Sequence, residues 1–339
     1  MLDKTQIENN IKWLLDNASS PVKYLTYKNI LNDDSAIPLD LFDKIEQSDI
    51  VKDIFSKQRK DGSWSSPGAW ATKPTMRKSG YTPVSPKYVT TSWILPLLGN
   101  SGYDFKDERI RKACEYVLSY QESNGYIGEI KPKERKCEYD SFQNEPCRFS
   151  IILIGLGKVG AVVDSRIKKA FELLISWQRD DGGWVSENHL NQKNWNRSCP
   201  FSSYHSAFAL YCSGISIYEK QLKKALEFLL NHLSTKKDSE IQRFFYHGHS
   251  LIHELLIFTE FKVGLGTRTI NSLLKWLLSM YQATNSHFKY NGKPITRYRF
   301  KDDYMDSRVA KYRLFQLIED DWLTYYATKI FINLLENDI

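Results

Sequence analysis

Apolar residues recur at helical intervals along most of the chain, in segments separated by short polar loops, and the alternation of a half-buried strand is almost absent. The pattern predicts an all-α protein. Within it one arrangement repeats: an apolar helix end, a glutamine, a polar turn, a glycine and an aromatic. It occurs as IFSKQRKDGSW over 54–64, YVLSYQESNGYIGE over 116–129 and LLISWQRDDGGW over 173–184, with a fainter copy, WLLSMYQATNSHF, over 276–288. After a loop of variable length, each copy is followed by another apolar helix ending in a glycine-containing turn or, for the last, by DDWLTYYATKIFINLLE. Adding the opening pair, IENNIKWLLDNA and PVKYLTYKNIL, predicts about six helical hairpins in a single domain over 1–339, with the first hairpin at 7–32 and a polar insertion or lid at 289–319.

The repeated residues have a structural logic. A glutamine at a helix end satisfies backbone groups exposed there, a glycine permits the left-handed turn, and the aromatic packs back over the preceding helix. These glutamines and tryptophans are therefore expected to pin one hairpin to the next and to take no part in chemistry.

The spacing of Gln58, Gly62 and Trp64, repeated at Gln178, Gly182 and Trp184 and, with Tyr126 and Ile127 at the aromatic place, at Gln121 and Gly125, resembles the QW repeat of squalene-hopene and related triterpene cyclases. The resemblance implies the (α/α)6 toroid of the terpenoid-cyclase and protein-prenyltransferase β-subunit superfamily. In that fold the second helix of each hairpin lines a central cavity, and the amino ends of these inner helices gather at one mouth. The function it implies is the binding of an isoprenoid or other hydrophobic substrate in the cavity, followed by cyclisation or prenyl transfer. A helical partner subunit is implied as well if the chain is transferase-like.

Triterpene cyclases of this fold are two-domain proteins roughly twice as long, and they carry an Asp-x-Asp-Asp acid motif. The nearest approach here is Ile318, Glu319, Asp320 and Asp321, just before the last inner helix. Asp320 or Asp321 is the candidate catalytic acid, a role that needs burial to raise its pKa; the other reading is a cap for the helix beginning near Trp322. A second acidic string, Asp302, Asp303 and Asp306 in DDYMD, matches the pattern by which ionisation-type terpene synthases hold magnesium. It sits among Arg297, Arg299 and other basic residues, so a charge-balanced lid is the expected reading, with Arg297 and Arg299 placed to close over an anionic substrate.

Protein prenyltransferases of this fold carry zinc on Asp, Cys and His near the amino ends of adjacent inner helices. The equivalent ends here offer Cys147, Cys199 and His247, a soft thiolate and imidazole set suited to zinc. The string YHSAFALYCSGIS from Tyr204 also resembles the segment after the zinc-binding His of farnesyltransferase-type β subunits, which carries over only to His205. Buried cysteines and hydrogen-bonded histidines are the alternative. Trp93, Tyr204, Trp322 and Tyr325 are candidate substrate-binding aromatics, because rings facing a dry cavity stabilise a carbocation and shape a pocket for an isoprenoid chain.

Composition narrows the partners. Lys and Arg outnumber Asp and Glu by 47 − 40 = +7, which suits an anionic ligand and is small for a nucleic-acid binder of this size. Five cysteines, with no basic and apolar leader at the start, predict free thiols in the cytoplasm, and the longest apolar run, 149–163, is too short to cross a bilayer. Against the enzymatic reading stands a second one, a non-catalytic toroid that binds a ligand, peptide or protein at the cavity mouth.

Overall fold

The computed structural model describes residues 2–64, 70–71, 85–86, 90–128, 146–185, 197–242, 245–246, 249–290, 316 and 319–335. Among them the fold is all-α. Its helices in chain order are α1 (Lys4–Asn17), α2 (Ser20–Thr26), α3 (Leu41–Gln47), α4 (Asp49–Ser56), α5 (Thr91–Asn100), α6 (Glu108–Leu118), α7 (Pro146–Lys158), α8 (Ser165–Ser176), α9 (Pro200–Ser213), α10 (Glu219–Ser234), α11 (Asp238–Ile241), α12 (Leu251–Glu260), α13 (Arg268–Leu278) and α14 (Asp320–Leu335). Three pairs of two-residue antiparallel strands accompany them, at Trp70–Ala71 with Ser85–Pro86, Phe245–Tyr246 with His249–Ser250, and Tyr281–Gln282 with His287–Phe288. A π-helical turn, Tyr27–Leu31, continues α2.

Two compact units make up the chain. One holds residues 1–48, 223–294 and 312–339, the other 49–222 and 295–311. In the second unit α5 packs on α7, and α7 on α9. These helices are apolar nearly all round, as a helix buried on every side must be: α7 buries Phe149, Ile151, Ile152, Leu153, Ile154 and Leu156. Glycines let them approach closely, for a Cβ on Gly99 would stand 2.7 Å from the Lys158 carbonyl oxygen and one on Gly157 2.7 Å from that of Cys212. The amphipathic α6 and α8 instead bury one stripe each, Ile110, Ala113, Cys114 and Val117 on α6 and Ile167, Ala170, Phe171 and Leu174 on α8.

The repeated turn explains how hairpin follows hairpin. Gln58 Nε2 donates to Gly62 O at 3.0 Å and to Arg109 O in the first turn of α6 at 2.9 Å. Gln121 does the same with Gly125 O (3.1 Å) and Arg166 O of α8 (2.7 Å), and Gln178 with Gly182 O (2.9 Å) and Gln221 O of α10 (2.9 Å). Each amide thus ties its own turn to a first-turn carbonyl of the amphipathic helix of the next hairpin. The aromatic closes the turn: Trp64 Nε1 donates back to Ile54 O (2.7 Å) and Trp184 Nε1 to Leu174 O (2.8 Å). Their backbone N–H groups donate forward to hydroxyls on the following buried helix, Trp64 to Thr91 Oγ1 at 3.2 Å and Trp184 to Ser203 Oγ at 2.9 Å.

Two further joints of this kind lie in the first unit, in altered form. Gln242, after α11, reaches Ser272 Oγ on α13 at 2.9 Å. At the last turn Phe288 N donates to Thr324 Oγ1 of α14 at 2.8 Å, as the tryptophans do. The bridging amide there belongs to Asn10 of α1, which, with its nitrogen turned to the two carbonyls, donates to Ser286 O (2.9 Å) and Gln6 O (3.1 Å). The final repeat therefore hands on to the first hairpin as each earlier repeat hands on to its successor.

Gln178→Ala is expected to remove the two bonds to Gly182 O and Gln221 O and to lower stability by about 1–3 kcal/mol, read as a shifted midpoint in urea denaturation; an unchanged midpoint would show that the amide does not join the hairpins.

Candidate functional site

The amino end of α14 carries a cluster of chemical groups. It opens with Glu319, Asp320 and Asp321, and Trp322, Tyr325 and Tyr326 follow within two turns, all three buried. Tyr326 stands between Trp322 (6.2 Å between ring centroids) and Tyr325 (5.3 Å), and its edge meets His253 of α12 at 4.9 Å. Asn29 donates to the Tyr325 hydroxyl at 3.0 Å, and burial pushes that phenol above its ordinary value, so it is protonated at neutral pH.

The three carboxyls differ in their surroundings. Asp321 Oδ2 accepts from Ser19 N (2.9 Å) and Ser19 Oγ (2.6 Å), while Oδ1 accepts from Trp322 N at 2.8 Å. Both its oxygens are thus spent on helix amino ends, its own and that of α2, where a negative charge is favoured. Asp320 Oδ2 lies 3.8 Å from His287 Nε2, with 40% of the Asp320 side chain exposed against 10% of the His287 side chain. The imidazole is stacked on Trp13 of α1, centroids 4.7 Å apart and 7° from parallel, and its Nδ1 lies 3.3 Å from Asn285 O. Glu319 holds its proton more tightly than an ordinary glutamate, first because of desolvation and then because Asp321 and Asp320 stand beside it.

A raised carboxyl pKa favours the fold at low pH, and that advantage is lost as pH rises through the folded-state value. Glu319→Gln is accordingly expected to stabilise the protein above the ordinary carboxylate range and to change nothing well below it. Glu319 is exposed, so screening limits the gain to a few tenths of a kcal/mol; melting temperatures of both proteins across pH would check it, and a gain independent of pH would refute it.

The candidate thiols lie in the second unit. Cys147 is half-buried in the first turn of α7, and Cys199, 8% exposed, precedes Pro200 at the start of α9, with its N–H donating to Trp184 O at 2.8 Å. The helices they begin are packed together. His247, Arg297, Arg299 and the Asp302, Asp303 and Asp306 string lie outside the described residues, as does Cys137. Among the described residues no three His, Cys, Asp or Glu side chains form a metal-binding group. His205 is held by its own helix, with Nδ1 2.9 Å from Phe201 O and its ring between Phe201 (4.4 Å) and Tyr204 (5.1 Å). Burial raises the Cys114 thiol to about 12 and the Cys212 thiol to about 11, leaving both protonated and unreactive.

Trp93 on α5 and Tyr204 on α9 are 5% exposed. Tyr204 stacks on Phe208 at 5.9 Å, an aromatic series along α9 that also suits packing. Sequence reasoning missed Ser19, Trp13 and His287. Only the place of His287, next to the aromatic of the last repeated turn, could have drawn attention to it.

No family model matches the chain. It is 24% identical over 173 residues to alpha-onocerin synthase LCD of Lycopodium clavatum, an alignment that takes in 49% of this chain and 21% of that protein. The chain thus spans about a fifth of the length of the curated relative it matches. Among solved structures it is similar to a variant of the type II terpene cyclase MstE from Scytonema without ligand (14% identity, TM-score 0.45, covering 98% of this chain and 96% of that one). It is also similar to apo MstE itself (12% identity, TM-score 0.32, covering 98% and 99%). Among the described residues no helix is long and apolar enough to cross a membrane.

Proposed function

We propose that the chain is a terpenoid-cyclase-like protein whose hairpins close into a toroid and whose interior binds an isoprenoid or similar hydrophobic substrate, with cyclisation as the reaction. One observation carries this reading. At the start of α14, in the first unit, three carboxyls lead directly into the buried Trp322, Tyr325 and Tyr326, which sets proton donors beside rings able to stabilise a cation. Trp93 and Tyr204 belong to the reading as further lining, and Arg297 and Arg299 as groups closing over an anionic head. The test is product formation from a panel of isoprenoid substrates, lost when Asp320 and Asp321 become Asn.

A non-catalytic ligand-binding module is the second reading, and the acidic turn itself favours it. Asp321 has both oxygens engaged and the Asp320 side chain is 40% exposed, whereas an alkene-protonating acid works best dry. Binding of the panel without turnover in wild-type protein would select this reading.

Prenyl transfer would call for zinc at Cys147, Cys199 and His247, with a helical partner subunit. Stoichiometric zinc in purified protein, lost in Cys199→Ala, is the expected result for the transferase form; zinc retained in that variant would remove Cys199 from the set.

A further inference from the structure

The acidic turn of α14 is not positioned by α14 alone. Two of its hydrogen bonds come from Ser19, 302 positions earlier in the chain, on the amino-terminal hairpin. Ser19 supplies both its N–H and its hydroxyl to Asp321 Oδ2, at 2.9 and 2.6 Å. Trp13 lies flat on His287, the imidazole whose Nε2 is 3.8 Å from Asp320 Oδ2. The hairpin is fixed in turn by bonds independent of the acids: Asn10 to Ser286 O (2.9 Å) and Asn29 to the Tyr325 hydroxyl (3.0 Å).

We infer that Ser19 and Trp13 are positioning residues of the acidic turn, Ser19 by holding Asp321 as an acceptor and Trp13 by holding His287 against Asp320. This rests on the reading of that turn as the reactive end of the site. Three adjacent carboxyls without such supports would be interchangeable rotamers sharing one proton population. Asp321, accepting three hydrogen bonds, is removed from that set, and the flat stack leaves the imidazole its edge to offer to Asp320. The amino-terminal hairpin thereby decides which carboxyl is presented to a bound substrate.

The Ser19 contact also has a signature that needs no turnover. Its N–H and its hydroxyl both end on Asp321 Oδ2, so the contribution of the hydroxyl to stability depends on the side chain at 321. A serine bonded elsewhere would contribute equally whatever stands there.

The experiment compares wild type, Ser19→Ala, Ser19→Thr, Trp13→Ala and Trp13→Phe. Ser19→Ala is expected to lower the melting temperature in the wild-type background and much less in an Asp321→Asn background, with Ser19→Thr restoring most of the loss. On a substrate that wild type turns over, Ser19→Ala and Trp13→Ala are expected to lower kcat roughly tenfold with KM within about twofold, and the Thr and Phe variants to recover most of the loss. A melting deficit that is equal in the two backgrounds, or absent from both, would overturn the role of Ser19. Wild-type kcat in Trp13→Ala would overturn that of Trp13. If wild type turns over no isoprenoid, the cyclase reading fails and the role of Trp13 with it, while the dependence of the melting deficit on Asp321 still decides the coupling of Ser19 to Asp321.

Discussion

Gly62→Ala is expected to destabilise the protein by about 2–5 kcal/mol, a large share of the total for a domain. Gly62 has φ of +86°, where an L side chain costs about 1–2 kcal/mol. A Cβ there would also stand 2.4 Å from both the carbonyl carbon and the oxygen of Lys112 and 2.8 Å from Ala113 N, all backbone of α6. Helix backbone does not swing aside as a flexible side chain does, so the turn and α6 must part, and the Gln58 bond to Arg109 O lengthens with them. Gly160 provides the control. Its φ is +68°, but a Cβ there meets nothing within 4 Å, so Gly160→Ala should show only the cost of the left-handed conformation. Urea denaturation of both variants would separate the two terms, and equal losses would mean that the close approach of the turn to α6 is not what demands glycine.

The same comparison shows how far the sequence could be read. The turns at Gln58, Gln121 and Gln178 were legible because glutamine and glycine recur four residues apart in all three. The aromatic place could not be assigned in the second copy. There Gln121 bridges to Ile127 while Tyr126 packs on Phe149 and Trp177, so the ring is displaced by one residue. The fourth copy is faint because Ser286, at φ +51°, stands where the others have glycine, and the bridging amide comes from Asn10. The joint at Gln242 was invisible, since Tyr246 stands four residues on where the other copies have glycine and the shorter of its two bonds runs to a side chain, Ser272 Oγ, instead of to a backbone carbonyl.

Candidate chemistry was less legible than the repeat, for a physical reason. Helix periodicity and turn residues are local properties, whereas the surroundings of a carboxyl are set by whatever the fold brings to it. Nothing in Glu319, Asp320 and Asp321 as a string says that Ser19 will donate its N–H and its hydroxyl to Asp321 Oδ2, or that Trp13 will lie on His287. Both capping and acid roles were open for these residues, and Asp321 bonds to the Trp322 N–H at the start of its own helix as well as to Ser19.

Asp320→Asn is expected to reduce product formation by at least about a hundredfold if the chain is a cyclase, the range that removal of a positioned general acid spans. The substitution keeps the size of the side chain and its place beside His287 while deleting the proton. The loss should therefore appear in kcat with little change in substrate binding. Asp321→Asn is predicted to act differently. Its side-chain oxygen can take the Ser19 donors or the Trp322 N–H but not both sets, so one donor is left facing an amide nitrogen, and melting temperature falls together with rate. Asp320 is therefore distinguished from Asp321 by a catalytic loss without a stability loss. Comparable kcat in wild type and Asp320→Asn would move the acid to Glu319, the carboxyl that desolvation and its two neighbours keep protonated to higher pH, and Glu319→Gln would then carry the hundredfold loss. Full activity in all three variants would leave this turn a helix start held by Ser19 and the aromatic cluster behind it a packed core.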